Sequence, residues 1–378
     1  MRVLVCPDSF KGSLTSREVC EEIERGLLRS GENFHIESIP LADGGEGTIE
    51  ALFLGGAGML HDARVRGPLG EEVSAQFLIS NDGETAVVEM AQCAGLPLIP
   101  PDKRDPLKAD TYGVGELILH ACALGVRKIV VGVGGSATSD AGMGALKALG
   151  IRFLDSDNRE LQPGGGSLIG LHDIDVSGFS PLVTGKEIIV ATDVKNPLCG
   201  VNGAARVYAP QKGAGTREVA ILEEGLCRFA DIVKKTTGSQ ISDMPGGGAA
   251  GGIAAGFYAL LEARIISGIE FIMDTLRLEE KVKRADLVMS GEGKVDTQTL
   301  SGKAVNGILS LCSRFGKPVV LLAGNVDYNV TQEVSENLLA VLSVIDGPCT
   351  LEEAIARAPQ LVEETAYQVG RLLLFRVC

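Results

Sequence analysis

Residues 3–27 read VLVCPDSFKGSLTSREVCEEIERGL. The apolar run Val3 to Cys6 has the length and composition of a buried strand, and Pro7 to Gly12 breaks it with turn-forming residues. Thr15 followed three residues later by Glu18 is a capping box, and Val19, Ile23 and Leu27 then recur at helical spacing. The stretch is therefore one strand–loop–helix unit. A second strand is predicted around Ile36 to Pro40, running directly into Asp43–Gly47 (DGGEG), with a helix over Thr48 to Leu54. Two strands are too few for a stable sheet, so this opening must find its remaining strands elsewhere in the chain.

From about Ala63 to Met90 the pattern changes to alternating apolar residues around Gly67-Pro68-Leu69-Gly70 and Asn81-Asp82-Gly83, which predicts an antiparallel meander. A helix over Thr111 to Leu124, a strand over Lys128 to Val133 and a helix over Ala141 to Leu149 restore the alternation. Strands at Ile151 to Leu154 and Ile188 to Thr192 follow, then helices near Thr216 to Lys235 and Ala249 to Ala263 and an amphipathic stretch from Phe271 to Arg284. The short apolar runs Leu287 to Ser290, Pro318 to Ala323 and Leu339 to Ile345, with a helix over Glu352 to Phe375, resemble the opening units. The expectation is an α/β protein of two domains. Residues 1–62 and 286–378 form one, and 63–285 form the other as an insertion.

The 378 residues, 45% of them hydrophobic, suffice for large cores. Nine widely spaced cysteines without a CxxC pair argue against a disulfide framework or zinc knuckle, and predict reduced thiols. No apolar run reaches membrane-span length and Pro7 cuts short any signal-peptide core, so the expected location is cytoplasmic. A net charge of −14 opposes broad contact with nucleic acid or anionic membrane. The absence of Trp, with only five Tyr, removes the usual stacking platforms for single strands. The sequence does not specify an oligomeric state.

Several chemistries are excluded by what is missing. Each Gly-Lys pair is followed by a residue other than Ser or Thr, so there is no Walker P-loop. His35, His61, His120 and His172 lack metal-site spacing and read as structural or surface groups. Pro245–Gly252 (PGGGAAGG) contains GxGxxG, but a poor strand precedes it, and close helix packing explains it as well as an anion site does.

Five loops remain as candidates. Gly132–Gly144 (GVGGSATSDAGMG) follows a β-branched strand and precedes a helix, the arrangement that aims backbone amides at an anion. Gly134, Gly135, Ser136 and Thr138 are the candidate ligands there, while Asp140 could simply cap the helix. Ser290–Lys303 (SGEGKVDTQTLSGK) offers Gly291, Glu292, Gly293, Lys294, Asp296 and Lys303, a set able to hold Mg²⁺ and neutralise a transferring phosphoryl group. The first two strands end in Asp8, Ser9 and Lys11 and in Asp43, Gly44, Gly45 and Glu46. Asp193, with Lys195 and Asn196 behind it, suits a metal ligand or general base, or an Asx turn before Pro197. Strands sharing one parallel sheet would gather such loops at one edge, facing a common cleft.

Taken in order, CPDSFKGSLTS, PLADGGEGT, GVGGSATSDAGMG, ATDVKNPLCG, PGGGAAGG and SGEGKVDTQTLSGK closely resemble the type-1 glycerate kinases, a bacterial family without a P-loop, over nearly the whole chain. The resemblance implies two α/β domains, one Rossmann-like and built from both chain ends. It also implies ATP-dependent, Mg²⁺-requiring phosphorylation of D-glycerate to 2-phosphoglycerate, or to 3-phosphoglycerate. On this reading Lys11 and Lys294 stabilise charge on the transferring group, and Asp193 and Asp296 hold Mg²⁺ or orient the hydroxyl. Gly134, Gly135, Ser136, Thr138 and Gly291–Gly293 are placed against ATP, and Asp8, Ser9 and Asp43–Glu46 against the substrate. A kinase for another small hydroxy acid or polyol is the neighbouring alternative. A nicotinamide-dependent oxidoreductase would lack its acidic ribose contact, and a non-catalytic metabolite-binding protein would leave the loop lysines and carboxylates unexplained.

Overall fold

The computed structural model describes residues 1–31, 33–295, 304–327 and 337–375. In chain order the strands are β1 (Arg2–Val5), β2 (His35–Ser38), β3 (Gly58–Arg66), β4 (Glu72–Ser80), β5 (Thr85–Glu89), β6 (Lys128–Gly132), β7 (Arg152–Leu154), β8 (Asp173–Asp175), β9 (Glu187–Ala191), β10 (Arg264–Ile266), β11 (Leu287–Val295), β12 (Val319–Val326) and β13 (Leu338–Ser343). The chain divides into two compact units, one comprising Met1–Asp43, Glu50–Ala57 and Ile269–Cys378, the other Gly44–Ile49 and Gly58–Gly268.

The first unit carries a parallel sheet in the order β13-β12-β11-β1-β2, so strands from both chain ends complete one another. Val3 and Val5 pair with Leu287 and Met289. The helix Ser16–Ser30 begins with the Thr15–Glu18 capping box, both reciprocal hydrogen bonds being formed. Val19, Ile23 and Leu27 from this helix, with Leu361, Val362 and Ala366 from the helix Ala358–Phe375, are buried over β1, β11 and β12. Each of the valine, isoleucine and leucine side chains contributes roughly 1.5–3 kcal/mol through its burial. The two helices cross at Gly26, where an added Cβ would lie 2.8 Å from both Ala366 Cβ and the Tyr367 amide nitrogen. Only a hydrogen atom fits there.

In the second unit the order is β10-β9-β6-β5-β4-β3, parallel from β10 to β5 and antiparallel across β5-β4-β3. The predicted meander is thus the antiparallel edge of an otherwise parallel sheet. Ala86, Val88, Ile129, Val131, Ile188 and Val190 alternate into its main core.

Several predicted elements are interrupted for identifiable backbone reasons. The helix expected from Ala141 starts only at Met143, because Ala141 and Gly142 both have positive φ. That expected from Ala249 starts at Ile253, after Ala250, Gly251 and Gly252 have done the same. The stretch Phe271–Arg284 contributes to two helices, Gly268–Thr275 and Leu278–Arg284, with Arg277 left-handed between them. The final helix is likewise two, Leu351–Ala356 and Ala358–Phe375. β7 pairs with β8, as a separate two-stranded ribbon.

Candidate active site

In the first unit β1 lies between β2 on one side and β11 on the other, so successive connections leave the β1/β11 boundary in opposite directions. A crevice forms at the carboxyl ends of strands where strand order reverses in this way. Beyond its paired residues β1 stays alongside β11: the Cys6 amide donates to Met289 O and the Asp8 amide to Gly291 O, each at 2.8 Å. The Ser290 hydroxyl donates to Cys6 O at 2.7 Å. On the other side the Ile39 and Leu41 amides donate to Val5 and Pro7 carbonyls, which delivers Asp43 to the same strand ends.

Asp8 is a buried carboxyl in this cluster, only 7% exposed, and its Oδ1 accepts the Ser9 amide at 2.7 Å. Lys11 Nζ stands 4.0 Å from Asp43 Oδ2. Gly293 packs on the loop from the opposite side, a Cβ built there falling 3.4 Å from the Lys11 amide nitrogen. Burial, followed by repulsion from Asp43, pushes Asp8 up to about 6, against the opposing pull of the Ser9 amide and of Lys11. A carboxyl poised near neutrality and facing a lysine is equipped to take a proton from a hydroxyl while the cation meets developing negative charge.

The second unit gathers a different set at the carboxyl ends of β5, β6, β9 and β10. Here glycines serve close approach: a Cβ at Gly132 would lie 2.6 Å from Gly44 O, and one at Gly134 2.5 Å from Gly45 Cα. The DGGEG loop can therefore lie directly on the loop after β6. Glu89 at the end of β5 engages the amide that closes the loop and one just beyond it, accepting the Gly47 amide at 3.1 Å and the Ile49 amide at 3.2 Å. Glu89 is fully buried, and that burial pushes it up to about 7 against these hydrogen bonds. In the loop after β6, Asp140 accepts hydrogen bonds from the Thr111 amide and hydroxyl and from the Gly142 and Gly144 amides. Asp140 thus engages amides at the start of the helix Met143–Ala148, although the residue at the N-cap position itself is Gly142. The exposed Gly135 and the neighbouring Ser136 remain at the tip of the loop. Asp193 Oδ1 accepts from Ser267 Oγ at 2.7 Å and from the Gly268 amide at 3.1 Å.

PGGGAAGG is a packing element. The Gly246 and Gly248 amides donate to Lys195 and Asn196 carbonyls, and the Ala141 amide donates to Gly251 O. A Cβ at Gly251 would sit 2.5 Å from Ser139 Cα. A dinucleotide phosphate has no place among these bonds.

A family model described as "Glycerate kinase family" matches residues 3–374. The chain belongs to the glycerate kinase family. It is 43% identical over 358 residues to glycerate 2-kinase of Escherichia coli (strain K12), covering 95% of this chain and 94% of that one. It is 41% identical to glycerate kinase of Haemophilus influenzae over the whole of both chains. The crystal structure of a protein described as glycerate kinase 2 from Salmonella typhimurium LT2 superposes with a TM-score of 0.83 at 42% identity, covering 99% of this chain and 98% of that one.

As a glycerate kinase, the enzyme brings Asp8, Ser9, Lys11, Asp43 and Gly291–Lys294 together at the strand-order reversal of its first unit. Gly44, Gly45 and Glu46 meet Gly132–Gly135 in its second. Asp296 and Lys303 lie outside the described residues. Two residues of these loops have no counterpart in the sequence reading. Glu89 is an ordinary strand-end acid in TAVVEM, and Lys212 belongs to a short turn of 3₁₀ helix, Pro210–Lys212, far from any glycine loop. Lys212 is nevertheless 2% exposed, and its ammonium donates to Ser136 Oγ at 2.8 Å and to Thr138 O at 2.6 Å.

No group of three or more acidic, His or Cys residues among those described is placed to hold a metal by itself. Magnesium needs fewer, because it takes one or two carboxylates and completes its shell with phosphate oxygens and water. Asp193, half-buried and oriented through Oδ1 by Ser267 and Gly268, fits that requirement, since ligating carboxylates are themselves held by hydrogen bonds. Among the described residues no helix is long and apolar enough to cross a membrane.

Proposed function

We propose that the enzyme transfers the γ-phosphoryl group of ATP, supplied as its Mg²⁺ complex, to the 2-hydroxyl of D-glycerate, releasing ADP and 2-phosphoglycerate. The observation that carries the reading is the buried Asp8 carboxyl beside Lys11 at the end of β1, in a chain of the glycerate kinase family. The glycerate hydroxyl oxygen forms the new bond to γ-phosphorus as the β–γ bridging bond breaks, and the hydroxyl proton passes to Asp8. Lys11 and Lys294 meet the charge that spreads over the transferring oxygens, the main demand of a loose phosphoryl transfer. Ser9 and Asp43 position the substrate, and the Gly134–Thr138 loop receives an anionic group. Mg²⁺, when bound, neutralises phosphate oxygens, and Asp193 would hold it. The position of transfer is supported by the name of the Escherichia coli relative, a glycerate 2-kinase.

Phosphorus NMR of a reaction containing D-glycerate and MgATP tests the proposal directly. The expected spectrum gains ADP and 2-phosphoglycerate resonances. Appearance of 3-phosphoglycerate would overturn the assigned hydroxyl, and ADP without a phosphorylated glycerate would overturn the substrate.

A further inference from the structure

We propose that Lys212 is a positioning residue for the phosphoryl-transfer reaction: by donating to Ser136 Oγ it directs the Ser136 hydroxyl hydrogen toward an anionic oxygen of a bound substrate. The inference rests on the reading of the Gly134–Thr138 loop as an anion site.

An ammonium group donates hydrogen bonds and accepts none. While Lys212 carries its proton, Ser136 Oγ, at 2.8 Å from Lys212 Nζ, must accept, so its own O–H is left to donate elsewhere. The second Lys212 bond, to Thr138 O, holds the following turn of the same loop. Ser136 retains 8% exposure and adjoins the exposed Gly135, so its hydrogen can be directed to the open side of the loop. Burial explains why lysine is informative here. A desolvated cation is costly unless something holds it, and lysine is almost never fully buried otherwise. The charge facing Lys212 is that of Asp140, whose carboxylate is engaged by Thr111, Gly142 and Gly144. Structural neutralisation of Asp140 is therefore not the sole use of the ammonium. The loop also keeps unspent hydrogen-bonding capacity, since Thr138 Oγ1 and Ser139 Oγ are buried without partners. A fixed donor that gains its acceptor only when substrate arrives favours binding of a phosphate or carboxylate oxygen.

The test compares Lys212→Met, Ser136→Ala and the double variant by steady-state kinetics. Calorimetric titration of wild type and each variant with MgADP and with D-glycerate runs alongside. Loss of one hydrogen bond to a charged group weakens binding roughly 10- to 100-fold. Each single variant is expected to raise KM and Kd for one of the two anions by that factor, with kcat changed less than about threefold. The double variant should be no worse than the poorer single one, because both act through one hydroxyl. The affected ligand tells phosphate from carboxylate. Multiplicative effects, or unchanged KM and Kd for both ligands in Ser136→Ala, would overturn the proposal. Ser136→Ala alone decides the matter if Lys212→Met does not fold. Wild-type binding without D-glycerate phosphorylation would refute the proposed reaction, while the calorimetric ratios would still decide the role of Lys212.

Discussion

Replacing Asp8 by Asn should make the protein more stable and far less active. The Asp8 carboxyl is raised from an ordinary 3.8 to about 6 by burial and by Asp43, a shift of about 2 units. At 1.36 kcal/mol per unit this amounts to an ionisation penalty of about 3 kcal/mol in the native state. The sign follows from proton binding. Between pH 3.8 and 6 the native state retains a proton that the unfolded state releases. Stability is therefore greatest below that window, falls as pH rises through it, and is level above it. Asn carries no charge at any pH and keeps an oxygen to accept the Ser9 amide, although its extra N–H group adds a desolvation cost of about 1 kcal/mol. The variant should accordingly gain about 1–3 kcal/mol at pH 7–8, and about a third of that at pH 5. Urea unfolding followed by far-UV circular dichroism measures it, the chain having no Trp to report by fluorescence. In parallel, kcat should fall by roughly 10²–10⁴ through loss of the proton acceptor. A variant that is less stable than wild type at pH 7, or whose stability difference does not change with pH, refutes the burial argument. One that keeps a near wild-type kcat refutes the role as base.

Three further outcomes are expected. Lys11→Met should leave the unfolding free energy within about 1 kcal/mol, because the lysine is exposed and its ion pair with Asp43 spans 4.0 Å, yet lower kcat by roughly 10²-fold or more. Equal loss of stability and rate would assign Lys11 to the fold. Gly26→Ala should destabilise by about 1–3 kcal/mol in urea although alanine is the better helix former by about 1 kcal/mol, because the added methyl meets Ala366 and Tyr367. A stabilised variant would show that the two helices separate at no cost. Lys212 is lowered by burial from 10.5 to about 7, so between those values the unfolded state binds the extra proton and the contribution of Lys212 to stability increases with pH. Subtracting the pH–stability curve of Lys212→Met from that of wild type should isolate this rise, and a difference that is flat or falls from pH 7 to 10 would contradict it.

The helix starting after Thr15 and the meander turns were legible because their causes are local. A capping box, a Pro–Gly turn and two-residue alternation act within a few positions. The joining of the chain ends was also legible, since two strands cannot satisfy their own edges and the matching apolar runs lay beyond residue 286. The glycine loops were harder. A free backbone amide looks the same in sequence whether it will meet a ligand, a protein carboxylate or another glycine. Gly47 and Ile49 turn to Glu89, and Gly142 and Gly144 to Asp140. Gly132 and Gly134 turn to the backbone of Gly44 and Gly45.

By itself, the order of motifs determined the family and the α/β alternation, because both reside in residue identity and short-range periodicity. Which charges are buried was decided only by tertiary structure. Asp8 owes its near-neutral character to desolvation and to Asp43, 35 positions away in the chain. Lys212 owes its importance to a loop about 75 residues earlier, which removes it from water and gives it Ser136 and Thr138 as partners. Desolvation is a property of everything packed around a group, and no window of sequence contains it.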